Sequence, residues 1–195
     1  MRFTHFAAAL SIVITASSFL ACGNPGSSTR PATGLTAPTA VPSSVASAGP
    51  MTRLITMMDA CDGPTFNLAI GPGTCIRNGG VNFSEFLAQL TAHQSVGAWH
   101  NAPSQTEAWL GDSLIATNNG GETHTFTRVA AFGGGIVPFL NNLAGTPNEA
   151  PECGTETTFV GPGGNDTESL DQSGELKFQC CIHPWMRTTV LVKSH

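Results

Sequence analysis

Charge is scarce in this chain of 195 residues: 8 Lys and Arg stand against 13 Asp and Glu, a formal net charge of -5, and only 11% of residues are charged. No Lys/Arg cluster occurs anywhere in it. Nucleic acid is thereby excluded as a partner, because a phosphate backbone needs a basic surface. Long apolar runs are missing too. The run from Phe6 to Leu20 falls short of the ~20 residues that a membrane-crossing helix needs. No internal repeat is visible. What is abundant instead is apolar surface and turn chemistry: 41% hydrophobic residues and 22 Gly read as a compact all-β domain with long loops, not as a disordered chain.

The short apolar run follows Met1-Arg2 and has the length of a signal-peptide core, so residues 1–21 are read as export machinery and not as fold. Its end, Phe19-Leu20-Ala21-Cys22, resembles a bacterial lipobox, which implies that Cys22 carries lipid and that the protein is anchored to a membrane of the bacterial cell envelope, facing the periplasm. Residues 22–50 are almost wholly Gly, Ser, Thr, Pro and Ala after the cysteine, a composition with too little apolar surface to offset ordering entropy. Such a tether has an r.m.s. reach of roughly 30 Å. Residues 51–195 are left for one domain, long enough for a real core.

Within that domain, Arg53 to Met58 reads as an entering strand whose adjacent Met57 and Met58 face opposite sides. Asn82-Phe83-Ser84-Glu85 starts a helix, with Asn82 as N-cap and Phe83, Phe86, Leu87 and Leu90 forming one apolar stripe. His93 ends that helix, where a cation suits the dipole. Strands are expected over 105–110, 113–117, 123–129, 157–160, 168–170, 175–179 and 188–192. A long loop opens at Gly133-Gly134-Gly135 and contains a short helix near Phe139 to Leu143. Seven or eight strands are the size of a Greek-key sandwich.

Chemistry concentrates in Phe178-Gln179-Cys180-Cys181-Ile182-His183-Pro184-Trp185-Met186. Cys180, His183 and Met186 offer a thiolate, an imidazole and a thioether at three-residue steps, a set that suits copper better than zinc or a hard cation. A trigonal site of two His and one Cys with a long axial Met lacks one more His. His124 can supply it from a strand-like run after the turn Asn118-Asn119-Gly120-Gly121. His100 lies at an early strand and could approach as a second-layer group, and His195 sits at the terminus.

Over roughly its last 90 to 100 residues the chain resembles the cupredoxins, the single-domain blue copper proteins, and its short Cys180-to-Met186 loop is most similar to the amicyanin kind. The resemblance implies an all-β Greek-key sandwich with the 82–93 helix as one insertion, and copper held by His124, Cys180, His183 and Met186. It implies that Thr125, where the family usually has Asn, ties the two ligand segments together. With Cys22 assigned to lipid and Cys180 to copper, Cys61, Cys75, Cys153 and Cys181 remain, and three pairings are open. Cys61 with Cys75 and Cys153 with Cys181 is the favoured one, since Cys181, next along the strand, should face away from the metal. His183 is expected at the surface as the electron port, within an apolar docking patch of Ile182, Pro184 and Trp185. The acidic stretch from Glu149 to Glu175 could steer a basic partner.

The function that follows is a non-enzymatic carrier of single electrons, exchanging with a redox protein such as a cytochrome c or a membrane electron-transfer complex. The six His residues are too few to build a second, catalytic copper cluster as well. A copper chaperone or store in the envelope is the alternative, and a structural zinc domain would leave Met186 without a role.

Overall fold

The computed structural model describes residues 49–194, and the signal segment, Cys22, the tether to residue 48 and His195 lie outside them. Ten strands and four helices follow one another in the described residues. The order is β1 (Thr52–Met58), α1 (Gly63–Ala69), α2 (Phe83–His93), β2 (His100–Ala102), β3 (Gln105–Trp109), β4 (Ser113–Asn118), β5 (His124–Thr125), β6 (Thr127–Val129), α3 (Pro138–Leu143), α4 (Pro151–Thr155), β7 (Phe159–Val160), β8 (Asn165–Ser169), β9 (Gly174–Gln179) and β10 (Arg187–Lys193).

The strands make two four-stranded sheets, ordered β2-β1-β4-β8 and β3-β10-β9-β6, with a two-stranded β5-β7 ribbon beside them. The chain crosses from one sheet to the other between β2 and β3 and returns between β3 and β4. β1 runs parallel to β4 and β3 parallel to β10, while the other pairs are antiparallel. The period-2 alternation of apolar residues decides which face is buried. Ile55 and Met57 of β1 and Leu114 and Ala116 of β4 point into the space between the sheets, where Leu176 and Phe178 of β9 and Val190 and Val192 of β10 meet them. Phe126 stacks on Phe178 with ring centroids 4.7 Å apart, directly beneath the segment that carries Cys180.

Among the described residues there are four helices, two more than were expected. The helix at 83–93 forms as read: the Asn82 side chain accepts from the Glu85 N–H at 2.9 Å, Phe86 and Leu90 are buried, and Gln94 closes it in the left-handed region at φ 59°. α3 also falls where a short helix was expected. The first helix, α1, was not expected and arises between Cys61 and Cys75, among glycines and prolines that also suit a loop. Asp62 caps it by accepting from the Thr65 N–H at 3.0 Å, and Pro64 in its first turn is pre-set for helical φ. α4 likewise starts on a proline, Pro151.

The expected strand over 123–129 is two. Phe126 turns into the core between β5 and β6, and the chain there leaves the ribbon with β7 to join the sheet at β9. This break lets His124 and Thr125 pair with β7 while β6 stays in the sandwich. Both favoured disulfides are present, Cys61 with Cys75 and Cys153 with Cys181.

Candidate metal centre

His124, Cys180 and His183 converge at one end of the sandwich, their ligand atoms all within 4.8 Å of one another. Cys180 is the free cysteine among the described residues and is completely buried, as is Met186. Its Sγ lies 3.9 Å from Nδ1 of His124 and 3.8 Å from Nδ1 of His183. Bonds of about 2.3 Å to sulfur and about 2.0 Å to nitrogen, set 120° apart around one ion, would place S and N about 3.7 Å from each other. The observed spacing is therefore that of a trigonal site, and a thiolate with two imidazoles fits copper.

Each ligand is delivered by a specific local structure. Cys180 follows directly on β9, and the loop after it closes on itself: Cys180 N donates to the Met186 carbonyl and Met186 N to the His183 carbonyl, both at 2.9 Å. The backbone N–H groups of Thr125 and His183 both donate to the Cys180 sulfur at 3.4 Å. Thr125 performs the tie expected of it, its Oγ1 accepting from the Cys181 N–H at 2.7 Å and so joining the β5 segment to the ligand loop. Gly135 is required where the loop ahead of α3 crosses this point, because a Cβ there would stand 1.9 Å from the Cys181 carbonyl oxygen. The adjacent Cys181 turns the other way, into its disulfide, so the thiolate register is Cys180.

The turn that presents His124 is organised by Asn118. Its Nδ2 donates to the carbonyls of Glu122 and Val160, and its Oδ1 accepts from the Gly120 N–H, all at 2.8 Å. Two carboxylates complete the surroundings, and neither was singled out by sequence reasoning. Asp59, just past β1, takes the Nε2 of His124 at 2.9 Å. Glu122 lies 3.5 Å from Nε2 of His183 and accepts from the Trp99 indole N–H at 2.7 Å. The signals were faint: one acid after a strand, and one two residues before a candidate ligand.

The electrostatics follow from this packing. Burial alone would push the Cys180 thiol up, but the hydrogen bonds and charges of His124 and His183 hold it well below the ordinary thiol range, as a metal-binding thiolate requires. Burial would lower His124, yet Asp59 and the Cys180 sulfur push it up to about 9. Asp59 is opposed by burial and nonetheless sits well below the usual carboxylate range, because His124 and the N–H groups of Glu122, Gly121 and Cys61 all donate to it. Burial raises Glu122, with the charge of His183 and the Trp99 hydrogen bond pulling the other way.

The other two imidazoles of the described residues stay apart from the centre. His93 ends α2 at the surface, and His100 is exposed with its Nδ1 against the Gly97 carbonyl. The expected surface port is corrected: His183 is only 3% exposed and Pro184 is buried, while Ile182 and Trp185 are half-buried. The insertion is the cause. Phe86 of α2 lies edge-on to the His183 ring at 6.4 Å between centroids, with Trp99 at 6.5 Å and Trp185 at 5.5 Å. What remains open above His183 is an apolar cavity of about 320 Å³ between α1, α2 and α3, lined by Phe66, Phe86, Leu140 and Ile182, with Ile70 and Phe139 exposed at its rim.

No family model and no curated protein matches the chain. Among solved structures it is similar to a novel purple cupredoxin from Nitrosopumilus maritimus, at 14% identity over 72% of this chain and 98% of that one, with a TM-score of 0.41. It is also similar to a methionine-to-alanine mutant of amicyanin in the Cu(I) form, at 15% identity over 48% of this chain and 73% of that one, TM-score 0.35. A proline-to-glycine mutant of amicyanin, reduced at pH 4, gives 15% identity over 51% of this chain and 77% of that one, TM-score 0.35. These three structures are a purple cupredoxin and two variants of amicyanin.

Proposed function

We propose that the chain is a type 1 copper protein that carries single electrons between redox partners at the cell envelope. The observation that carries this reading is the pair of Sγ to Nδ1 distances, 3.9 and 3.8 Å, around a buried thiolate held by two backbone N–H groups. Met186, buried in the same loop, is the axial ligand in this reading. A set of one thiolate, two imidazoles and a weak thioether tolerates both copper oxidation states with little rearrangement, so the centre passes electrons and needs no open position for a substrate. Delivery of copper as cargo would require ligands that a recipient can reach. Here Cys180 and His124 are completely buried and His183 nearly so, which favours a resident metal.

Electrons enter or leave, on this proposal, through the cavity whose floor is His183, with Ile70 and Phe139 as the apolar rim against which a partner docks briefly. Phe139 is 57% exposed, so Phe139→Lys leaves the core intact while placing a charge on the docking face. Electron self-exchange between copper(I) and copper(II) copies, followed by NMR line broadening, should slow about tenfold or more through like-charge repulsion, with the visible spectrum unchanged. A self-exchange rate equal to the wild type would place the port elsewhere.

Attachment to the membrane through Cys22 belongs to the same proposal and rests on the lipobox-like Leu20-Ala21-Cys22 and the tether after it. Cys22→Ala should move the protein from the membrane to the soluble fraction on cell fractionation. Wild-type protein found unmodified in the soluble fraction would contradict it.

A further inference from the structure

Both imidazoles of the metal centre are backed by buried carboxylates. Each ring lies between the Cys180 sulfur, which its Nδ1 faces, and a buried carboxylate, which its Nε2 faces: Asp59 at 2.9 Å for His124 and Glu122 at 3.5 Å for His183. With Nδ1 committed to a metal, the proton of each neutral ring resides on Nε2 and points at the carboxylate. The Asp59 side chain is 1% exposed and that of Glu122 is 6% exposed, so water screens neither strongly.

Asp59 is built in rather than incidental. Besides His124 it accepts from the N–H of Cys61 at 3.1 Å, of Gly121 at 2.8 Å and of Glu122 at 3.0 Å, so both oxygens are satisfied as an anion. Cys61 is pinned by its disulfide to Cys75. Gly120 leaves the room: a Cβ there would stand 1.9 Å from Asp59 Oδ2 and 3.0 Å from His124 Nε2. The strand end, the disulfide and the glycine turn together fix one negative charge behind one ligand. Glu122 is fixed behind the other by the Trp99 indole.

We propose that Asp59, acting through His124, and to a lesser degree Glu122, acting through His183, are positioning residues that hold the reduction potential of this centre low, so that the reduced protein is a ready donor to an acceptor of higher potential. This rests on the copper reading above. The reason is electrostatic: oxidation of Cu(I) to Cu(II) releases one electron and adds one positive charge inside a shell that already contains buried negative charge, and that charge favours the oxidised form. A unit charge about 6 Å from the ion, at an effective dielectric near 20, shifts a one-electron equilibrium by about a hundredfold. Glu122 contributes less because its contact is longer and its oxygen is shared with Trp99.

The test compares the copper-loaded full chain with Asp59→Asn and Glu122→Gln by spectroelectrochemistry, reading the visible band and the midpoint potential together. Asn keeps an oxygen for the ring and backbone N–H groups while removing the charge. Asp59→Asn should keep the band and raise the Cu(I):Cu(II) ratio at a fixed applied potential ten- to a hundredfold, about 60 to 120 mV at 59 mV per tenfold. Glu122→Gln should move the potential the same way by less. Should Asp59→Asn fail to bind copper, a raised potential in Glu122→Gln still supports the proposal. An unshifted Glu122→Gln beside a raised Asp59→Asn confines the effect to Asp59, whereas a lowered or unchanged potential in every variant that keeps its band overturns it. Wild-type protein without a thiolate-to-copper band would instead remove the copper reading on which the inference stands.

Discussion

Cys180→Ser should abolish the visible colour of the copper-loaded protein, whereas Cys181→Ser should keep it. The two sulfurs are neighbours in sequence and opposite in role. Cys180 Sγ faces both imidazoles and accepts two backbone N–H groups at 3.4 Å, and Cys181 turns away into its bond with Cys153. A serine hydroxyl at 180 lacks the easily oxidised thiolate electrons whose transfer to Cu(II) gives the colour, and it is a hard donor in a site whose selectivity depends on a soft one. The buried pocket would then hold two imidazoles facing a neutral hydroxyl, so copper binding should weaken along with the colour. Absorption spectra of the two variants titrated with Cu(II) decide it. Loss of colour in the Cys181 variant with retention in the Cys180 variant would reverse the assignment.

Replacing Cys153 and Cys181 together by Ala should lower the stability of the metal-free domain by about 3 to 4 kcal/mol, on the chain-entropy estimate for a loop of the length that this disulfide closes. That loop spans 28 residues and ties α4 to the ligand loop. Marginally stable domains hold only about 5 to 15 kcal/mol in all, so the loss is a large fraction. It corresponds to a fall in melting temperature of about 6 to 16 °C for a domain of this size. Denaturant unfolding should show a lower midpoint and a slope equal to or steeper than the wild type, because the unfolded chain is no longer held compact. A midpoint unchanged from the wild type would mean that α4 is held by other contacts. The Cys61–Cys75 bond closes 14 residues and should contribute somewhat less, about 3 kcal/mol.

The grouping of His124, Cys180 and His183 could be read from the chain because cysteine and histidine at a three-residue step, with one more histidine after a turn, have few other uses. Assigning Cys22 and Cys180 left four cysteines with three possible pairings, and the direction in which Cys181 faces favoured the pairing that is present. Strand positions were legible wherever alternation was clean, as in Ser113 to Asn118. Three features were not. The helix at Gly63–Ala69 hides in turn-forming residues, since Gly63-Pro64 can open a loop or a helix and only the Asp62 cap decides. The division of 123–129 depends on which sheet offers hydrogen bonds on either side of Phe126, a tertiary matter that local pattern does not encode. The carboxylates Asp59 and Glu122 lie 65 and 61 residues from the histidines they meet, so spacing gave no hint of them. The expected surface port failed for a related reason. The loop around His183 looks exposed when read alone, and it is α2, roughly a hundred residues earlier in the chain, that covers it.

The central claim is a thiolate bonded to copper, and the visible and electron paramagnetic resonance spectra of the wild-type chain loaded with Cu(II) test it most directly. The account predicts one Cu(II) per chain with intense red-orange absorption that vanishes reversibly on one-electron reduction. Weak absorption typical of copper without sulfur, or a Cys180 thiol that still reacts with an alkylating reagent after copper is added, would contradict it.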